Sequence, residues 1–134
     1  MSLTLTIVTP QGTVFDGAVE SVVVPGSEGD FGVLHGHERF LSPVRIGELE
    51  VRDPNGRWAA VSDGFADVAT DRVVLMVDTC EFAESIDAAR AERARARAER
   101  ELELLKGEQE EQRFRLARAA LERAIVRLMV AKRR

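Results

Sequence analysis

Residues 49–61 read Leu-Glu-Val-Arg-Asp-Pro-Asn-Gly-Arg-Trp-Ala-Ala-Val, and this stretch decides the fold of the first part of the chain. Leu49 and Val51 alternate with charged neighbours, as a strand with one buried face requires. Asp53-Pro54-Asn55-Gly56 follows, and Asn-Gly between two apolar runs is the strongest short-range signal of a β-hairpin. Trp58 and Val61 resume the pattern, Phe65 and Val68 carry it on, and Arg72 to Asp78 is a further β-branched run. Towards the N-terminus, Leu3, Leu5 and Ile7 alternate before Pro10-Gln11-Gly12 breaks the run. Val19 to Val24 is nearly continuous and β-branched, which predicts a strand buried on both sides and ended by Pro25 and Gly26. Turn signals at this spacing imply a small β-sandwich or barrel.

The character changes near Ser85. Ala, Arg, Glu and Leu now dominate and Pro is absent, as in a good helix former. Ser85 is the predicted N-cap. Apolar residues at Ala88, Ala91, Ala94, Ala98, Leu102 and Leu105 form one stripe, and Phe114, Ala117, Leu121, Ala124, Leu128 and Ala131 form a second. Gly107 separates them, so the pattern predicts an antiparallel helical hairpin. Small side chains bury little area, which makes such a hairpin marginal alone and able to open or dock elsewhere. Glu108, Glu110 and Glu111 at the start of the second helix, and Lys132, Arg133 and Arg134 at its end, complement the helix dipole. The fold class is therefore α+β: a strand-rich unit over 1–85 and a helical hairpin over 86–134.

Bulk properties narrow the function. The 134 residues include no Tyr and one Trp, so the core is built from aliphatic residues. No apolar run reaches the ~20 residues of a membrane span, and the N-terminus lacks the basic region of a signal peptide. Membrane association is expected to run through a partner, not through direct insertion. Residues 1–86 carry 14 acidic against 5 basic side chains, whereas residues 87–134 carry 9 against 14. The two parts are expected to face different partners. Nucleic acid is not one of them: the basic residues are interleaved with acids, and only Phe114 offers a stacking surface among them.

No nucleophile, base and orienting group can be assembled, so an enzyme is not expected. There is no GxxxxGK[ST] phosphate loop, and Gly26 to Gly32 is acidic through Glu28 and Asp30. His35 and His37 lack a third and fourth ligand for a metal, which leaves them as polar contact residues. Cys80, the single cysteine, reads as a structural thiol. Arg90 and Arg97 lie two turns apart, ~10 Å along the helix axis, and nearly in line. Arg123 and Arg127 share a face of the second helix, and antiparallel pairing brings them to the level of Arg90. Guanidinium groups converging from two helices suit a polyphosphate. The alternative is a solvated face paired with Glu92, Glu99, Glu101 and Glu122, and spacing by itself favours that alternative.

Four segments resemble the epsilon subunit of F-type ATP synthases: IVTPQGTVFDGAVESVVVPGSEGDFGVLHGH (7–37), VSDGFADV (61–68), IDAARA (86–91) and LERAIVRLMVA (121–131). The resemblance implies an N-terminal β-sandwich of about ten strands that binds the gamma subunit and touches the c-ring, followed by a two-helix regulatory hairpin. It implies a non-catalytic subunit, peripheral on the cytoplasmic face of the cell membrane. It places a c-ring and gamma contact loop at Glu28, Asp30, Phe31, His35 and His37. His35 stands where the family usually has Pro, which is expected to loosen that loop. The hairpin is implied to switch between a folded state and an extended one that meets the beta subunits and inhibits ATP hydrolysis. No cofactor is implied. ATP is implied as a regulatory ligand of the folded hairpin, held by Glu81, Asp87, Arg90, Arg97, Arg123 and Arg127.

Overall fold

The computed structural model describes residues 3–106 and 111–134. The expected turn at Gly107 and the acids Glu108 and Glu110 lie outside the described residues. Ten strands come first: β1 (Leu3–Thr9), β2 (Gly12–Val19), β3 (Ser21–Gly26), β4 (Gly29–Leu34), β5 (Phe40–Val44), β6 (Gly47–Arg52), β7 (Arg57–Val61), β8 (Gly64–Val68), β9 (Arg72–Val77) and β10 (Cys80–Phe82). A single 3-10 turn over Ala83–Ser85 leads to α1 (Ala88–Leu105) and α2 (Glu111–Ala131).

The strands run β10-β7-β6-β3-β5-β8-β9-β1-β2, with β4 paired to β3 outside that order. All neighbours are antiparallel except β1 and β9. β3 and β5 are joined by one residue pair, Gly26 with Val44, and this seam lets the sheet fold into two layers. Phe15 of β2 and Phe82 of β10 meet at 5.9 Å, bringing the two ends of the order together. Inward residues of both layers, among them Leu3, Leu5, Ile7, Leu49, Val51, Val73 and Leu75, form one aliphatic core. The Asn-Gly hairpin forms as read, with β6 paired to β7 and Gly56 at φ 79°, where a side chain would be strained.

Two readings are corrected. Val19 to Val24 is not one strand: Val19 closes β2, and β3 starts at Ser21 and continues through Pro25 and Gly26, which pair with Asp30 and Gly29. Nor is β3 buried on both sides, since Val22 and Val24 are fully buried while Val23 is only half-buried. A β-branched residue on an outer face satisfies strand geometry without being core. The N-cap of α1 is Asp87, not Ser85, which lies in the 3-10 turn. Asp87 has extended backbone and its carboxylate accepts a hydrogen bond from Arg90 N at 3.1 Å.

In the hairpin, Ala91, Ala98 and Leu105 of α1 and Ala117, Ala124 and Ala131 of α2 are buried, while Phe114 is largely exposed. Arg113 reaches back to Glu101 at 3.2 Å, as antiparallel helices allow. A second apolar face of α2 went unrecognised in the sequence. Val130 is fully buried and, with Val126, packs on Trp58, Ala60, Ala83 and Ile86. This small cluster, separate from the sandwich core, seats the hairpin on the outside of β7.

Candidate functional site

The hairpin and the sandwich edge enclose a cavity of about 500 Å³. Four residues of the Ile86–Ala91 segment take part in building it. Ile86 is buried beneath α2, Asp87 caps α1, Ala91 is small enough for the helices to approach, and Arg90 lines the opening. Glu81 enters from β10, Arg97 from two turns further along α1, and Arg127 from α2. Five of the six residues singled out above therefore line one cavity. Arg123 does not; it lines a small adjoining recess with Thr79, Ala60 and Val61, which it shares with Arg127. The axial rise of the helix accounts for this, because Arg123 and Arg127 share a side of α2 but sit one turn, ~6 Å, apart along it.

Ion pairing divides the helix arginines, and Arg93, Arg100 and Arg115 form no ion pair among the described residues. Glu92 and Glu99 are taken by Arg95, Glu122 by Arg118 and Glu101 by Arg113. The glutamates that offered a solvated ion-pair face are thus engaged by other arginines. Among the described residues, Arg90, Arg97 and Arg123 form no ion pair. Arg127 pairs with Glu81, Nε to Oε1 at 2.7 Å, across α2 and β10. The cavity brings Arg90, Arg97 and Arg127 together with the carboxylates Asp78, Glu81 and Asp87, beside apolar walls at Val14, Ile86, Ala91 and Ala94. Arg90 and Arg97, without ion pairs, are the donors there that an anionic group could engage.

The β1–β2 hairpin contributes Thr9, Gln11 and Val14 to the cavity, which no local sequence signal indicated. Cys80 also lines it. Burial, with a smaller contribution from Glu81 and against the opposing Arg57, pushes the Cys80 thiol up to about 12.

The second candidate region is the β3–β4 turn and the loop after β4. Glu28 and Asp30 are exposed, and Asp30 is paired with Arg45. Phe31 meets the edge of Phe40 at 5.1 Å, and the His37 ring lies 5.0 Å from the same ring. His35 is exposed. Gly36 N donates to Thr70 O at 2.6 Å and His37 N to Leu34 O at 3.3 Å, so backbone bonds hold the turn. Among the described residues, no group of three or more His, Cys, Asp or Glu is placed to hold a metal ion. Nearby, Pro43, Phe65, Met76 and Val8 stand in register across β5, β8, β9 and β1. Phe65 is 50% and Met76 45% exposed, so this row forms an apolar strip on the outer layer.

A family model described as the beta-sandwich domain of the ATP synthase delta/epsilon chain matches residues 2–83. A second, the long alpha-helix domain of the same chain, matches residues 84–132. The chain is also 44% identical to the ATP synthase epsilon chain of Syntrophobacter fumaroxidans over 130 residues, covering 96% of this chain and 95% of that one. The chain belongs to the ATP synthase epsilon-chain family. The epsilon chain of Bacillus velezensis is similar at 40% identity over 126 residues, covering 93% of each chain. Among solved structures, a chain of the Euglena gracilis mitochondrial ATP synthase superposes with a TM-score of 0.80 at 24% identity, covering 98% of this chain and 81% of that one. That likeness bears on the fold alone. As an epsilon chain, this is a non-catalytic stalk subunit of the ATP synthase. None of its helices among the described residues is long and apolar enough to cross a membrane.

Proposed function

We propose that this epsilon chain couples and regulates the ATP synthase rotor, with its sandwich as the docking unit and its hairpin as a nucleotide-sensing switch. In this reading the sandwich, residues 1–85, docks on gamma and on the c-ring at the membrane surface, making the subunit peripheral there. The exposed apolar row Pro43-Phe65-Met76-Val8 supports docking to gamma, because such a strip is costly to leave in water. The exposed, backbone-pinned loop with Glu28, Asp30, Phe31, His35 and His37 supports a polar contact to the ring.

The hairpin, residues 86–134, folds onto the sandwich as an ATP-stabilised state and, when extended, meets the beta subunits and inhibits hydrolysis. One observation carries the nucleotide reading. Arg90, Arg97 and Arg127 line a single cavity of about 500 Å³ with Glu81 and Asp87, while the neighbouring glutamates are engaged by other arginines. Arg90 and Arg97 would take phosphate oxygens. Arg127, oriented by Glu81, and Arg123, reached through the adjoining recess, would complete the cationic set. ATP then favours the folded hairpin by its differential affinity for that state.

Isothermal titration of the full chain with ATP tests this, repeated on Arg90→Ala and Arg127→Ala. The expected result is saturable binding weakened at least about tenfold in each variant, the loss of one charge-assisted contact. Absence of binding up to millimolar ATP would overturn the nucleotide reading, with family membership untouched.

A further inference from the structure

The end of α2 carries contacts that neither the cavity nor the apolar row uses. Arg133 Nε and Nη2 donate to Glu48 Oε1 and Oε2 at 3.0 and 3.2 Å. Its guanidinium carbon lies 3.7 Å from the centroid of the Trp58 ring. Arg134 Nη1 donates to the carbonyls of Ala83 at 3.3 Å and Ile86 at 2.9 Å, in the segment joining β10 to α1. Val130 and Ala131 are buried just before these residues.

Register explains why one side chain reaches both partners. Glu48 pairs with Ala60 and Glu50 with Trp58, so Glu48 and Trp58 are diagonal neighbours on one face of β6–β7. A planar guanidinium spans that diagonal, with one edge on the carboxylate and one face on the indole. An ammonium group cannot do both. The hydrogen bonds that Arg133 donates to Glu48 also push its pKa up, and a guanidinium is in any case always charged over the working range. α2, not α1, makes the extensive contacts with β6, β7 and the turn over Ala83–Ser85. None of Arg133, Glu48 and Trp58 lines the cavity.

We propose that Arg133, clamped between Glu48 and Trp58, is the latch that keeps the hairpin docked on the sandwich. The inference rests on the hairpin being a switch. It adds a second hold on the folded state, away from the nucleotide cavity. The Arg127–Glu81 pair lies in the cavity and answers to a bound anion. The Arg133 clamp is 41% exposed at the arginine and answers to ionic strength or to a competing acidic surface.

Trp58 is the chain's only tryptophan, so its fluorescence reports the clamp without a label. Cys80, in the cavity on the sandwich edge, gives an independent report of lifting through its alkylation rate. Both are measured on the full chain, on Arg133→Gln, Arg133→Lys and Glu48→Gln, and on Val130→Asp, which breaks the apolar seat. Arg133→Gln and Glu48→Gln are expected to raise acrylamide quenching of Trp58 and to speed Cys80 alkylation together. The expected size is an about five- to tenfold fall in the docked-to-lifted ratio, for one exposed ion pair plus one stacked cation. Arg133→Lys is expected to recover less than half of this. Added salt should move the wild type in the same direction and move Arg133→Gln less, through the Arg127–Glu81 pair that remains. If Trp58 responds and Cys80 does not, only the indole has been uncovered and the latch is overturned. If Val130→Asp moves both probes while the Arg133 and Glu48 variants move neither, the latch is overturned and the switch stands. If Val130→Asp moves neither, the hairpin does not lift, and both readings fall.

Discussion

Gly64 opens β8 in the Val-Ser-Asp-Gly segment, and a single added methyl group there is expected to damage the sandwich severely. An ideal Cβ on Gly64 would lie 2.0 Å from Met76 O, 2.7 Å from Val77 Cα and 2.9 Å from Met76 C, where ordinary contact begins at 3.4 Å. All three obstructing atoms are backbone of β9, so no side-chain rotation relieves the overlap. β8 must withdraw from β9 by more than about an ångström, and close-packed interiors do not absorb that freely. Gly64 pairs with Val77 on one side and Val44 on the other, so the movement strains two ladders at once. It also displaces Ala66 and Val68, both fully buried. Overpacking costs ~1–3 kcal/mol, and a lost or weakened hydrogen bond in each ladder adds ~0.5–1.5 kcal/mol. Gly64→Ala is therefore expected to destabilise the chain by about 3–5 kcal/mol, or roughly 15–30 °C in Tm for a domain of this size. Urea unfolding followed by far-UV circular dichroism measures it. Gly32→Ala is the control: nothing lies within 4 Å of its Cβ, so the change should be neutral or stabilising by up to ~1 kcal/mol. Gly64→Ala unfolding within ~0.5 kcal/mol of the wild type, at unchanged urea slope, would refute the steric argument.

Three further outcomes follow from local geometry. Asp87→Ala removes the acceptor for Arg90 N and should cost about 1 kcal/mol of helix stability, whereas Asp87→Asn should retain most of it; amide exchange in the first turn of α1 distinguishes them. Ser62 is buried, its hydroxyl 2.8 Å from Thr79 Oγ1 and accepting from Thr79 N at 2.9 Å, so Ser62→Ala leaves a donor unmet and should cost ~1–3 kcal/mol in chemical denaturation. Burial raises the Cys80 thiol from 9.0 to about 12. Near neutral pH its alkylation should therefore run roughly a thousandfold slower than in the unfolded chain, and native and unfolded rates that coincide would show the thiol to be solvated. The associated stability is intact below about pH 9 and lost as pH rises towards about 12, because there the unfolded thiol ionises first.

The cavity proposed for a nucleotide turns on a choice that spacing could not make. Arg90, Arg93, Arg95 and Arg97 follow one another on α1, and glutamates lie within reach of several of them. Arg95 lies one turn from both Glu92 and Glu99 and takes both. Arg90 and Arg97, seven residues apart, face the sandwich edge instead and line the cavity together. Their freedom for an anion depends on that competition and on where β10 presents Glu81. Asp87 illustrates a different limit. The family segment implied it as a ligand residue; it lines the cavity, and its carboxylate is engaged in capping α1.

The sequence by itself determined the kind of each element. Alternation at Leu3, Leu5 and Ile7, the Asn55-Gly56 turn and the alanine stripes each encode structure through neighbours within a few residues, and such periodicities survive without tertiary context. It also carried the family, because four ordered segments span the chain. Tertiary structure alone decided the partners. β1 lies parallel to β9 and Gly26 meets Val44 at the seam, pairings between segments distant in the chain. The face of α2 that docks was equally illegible. Ala124 to Ala131 is apolar nearly all round, so periodicity cannot distinguish the stripe that meets α1 from Val126 and Val130, which meet β7. Long side chains such as Arg127 and Arg133 reach several ångströms from their own helix. What they bind is set by the strands beneath them, Glu81 on β10 and Glu48 beside Trp58 on β6–β7.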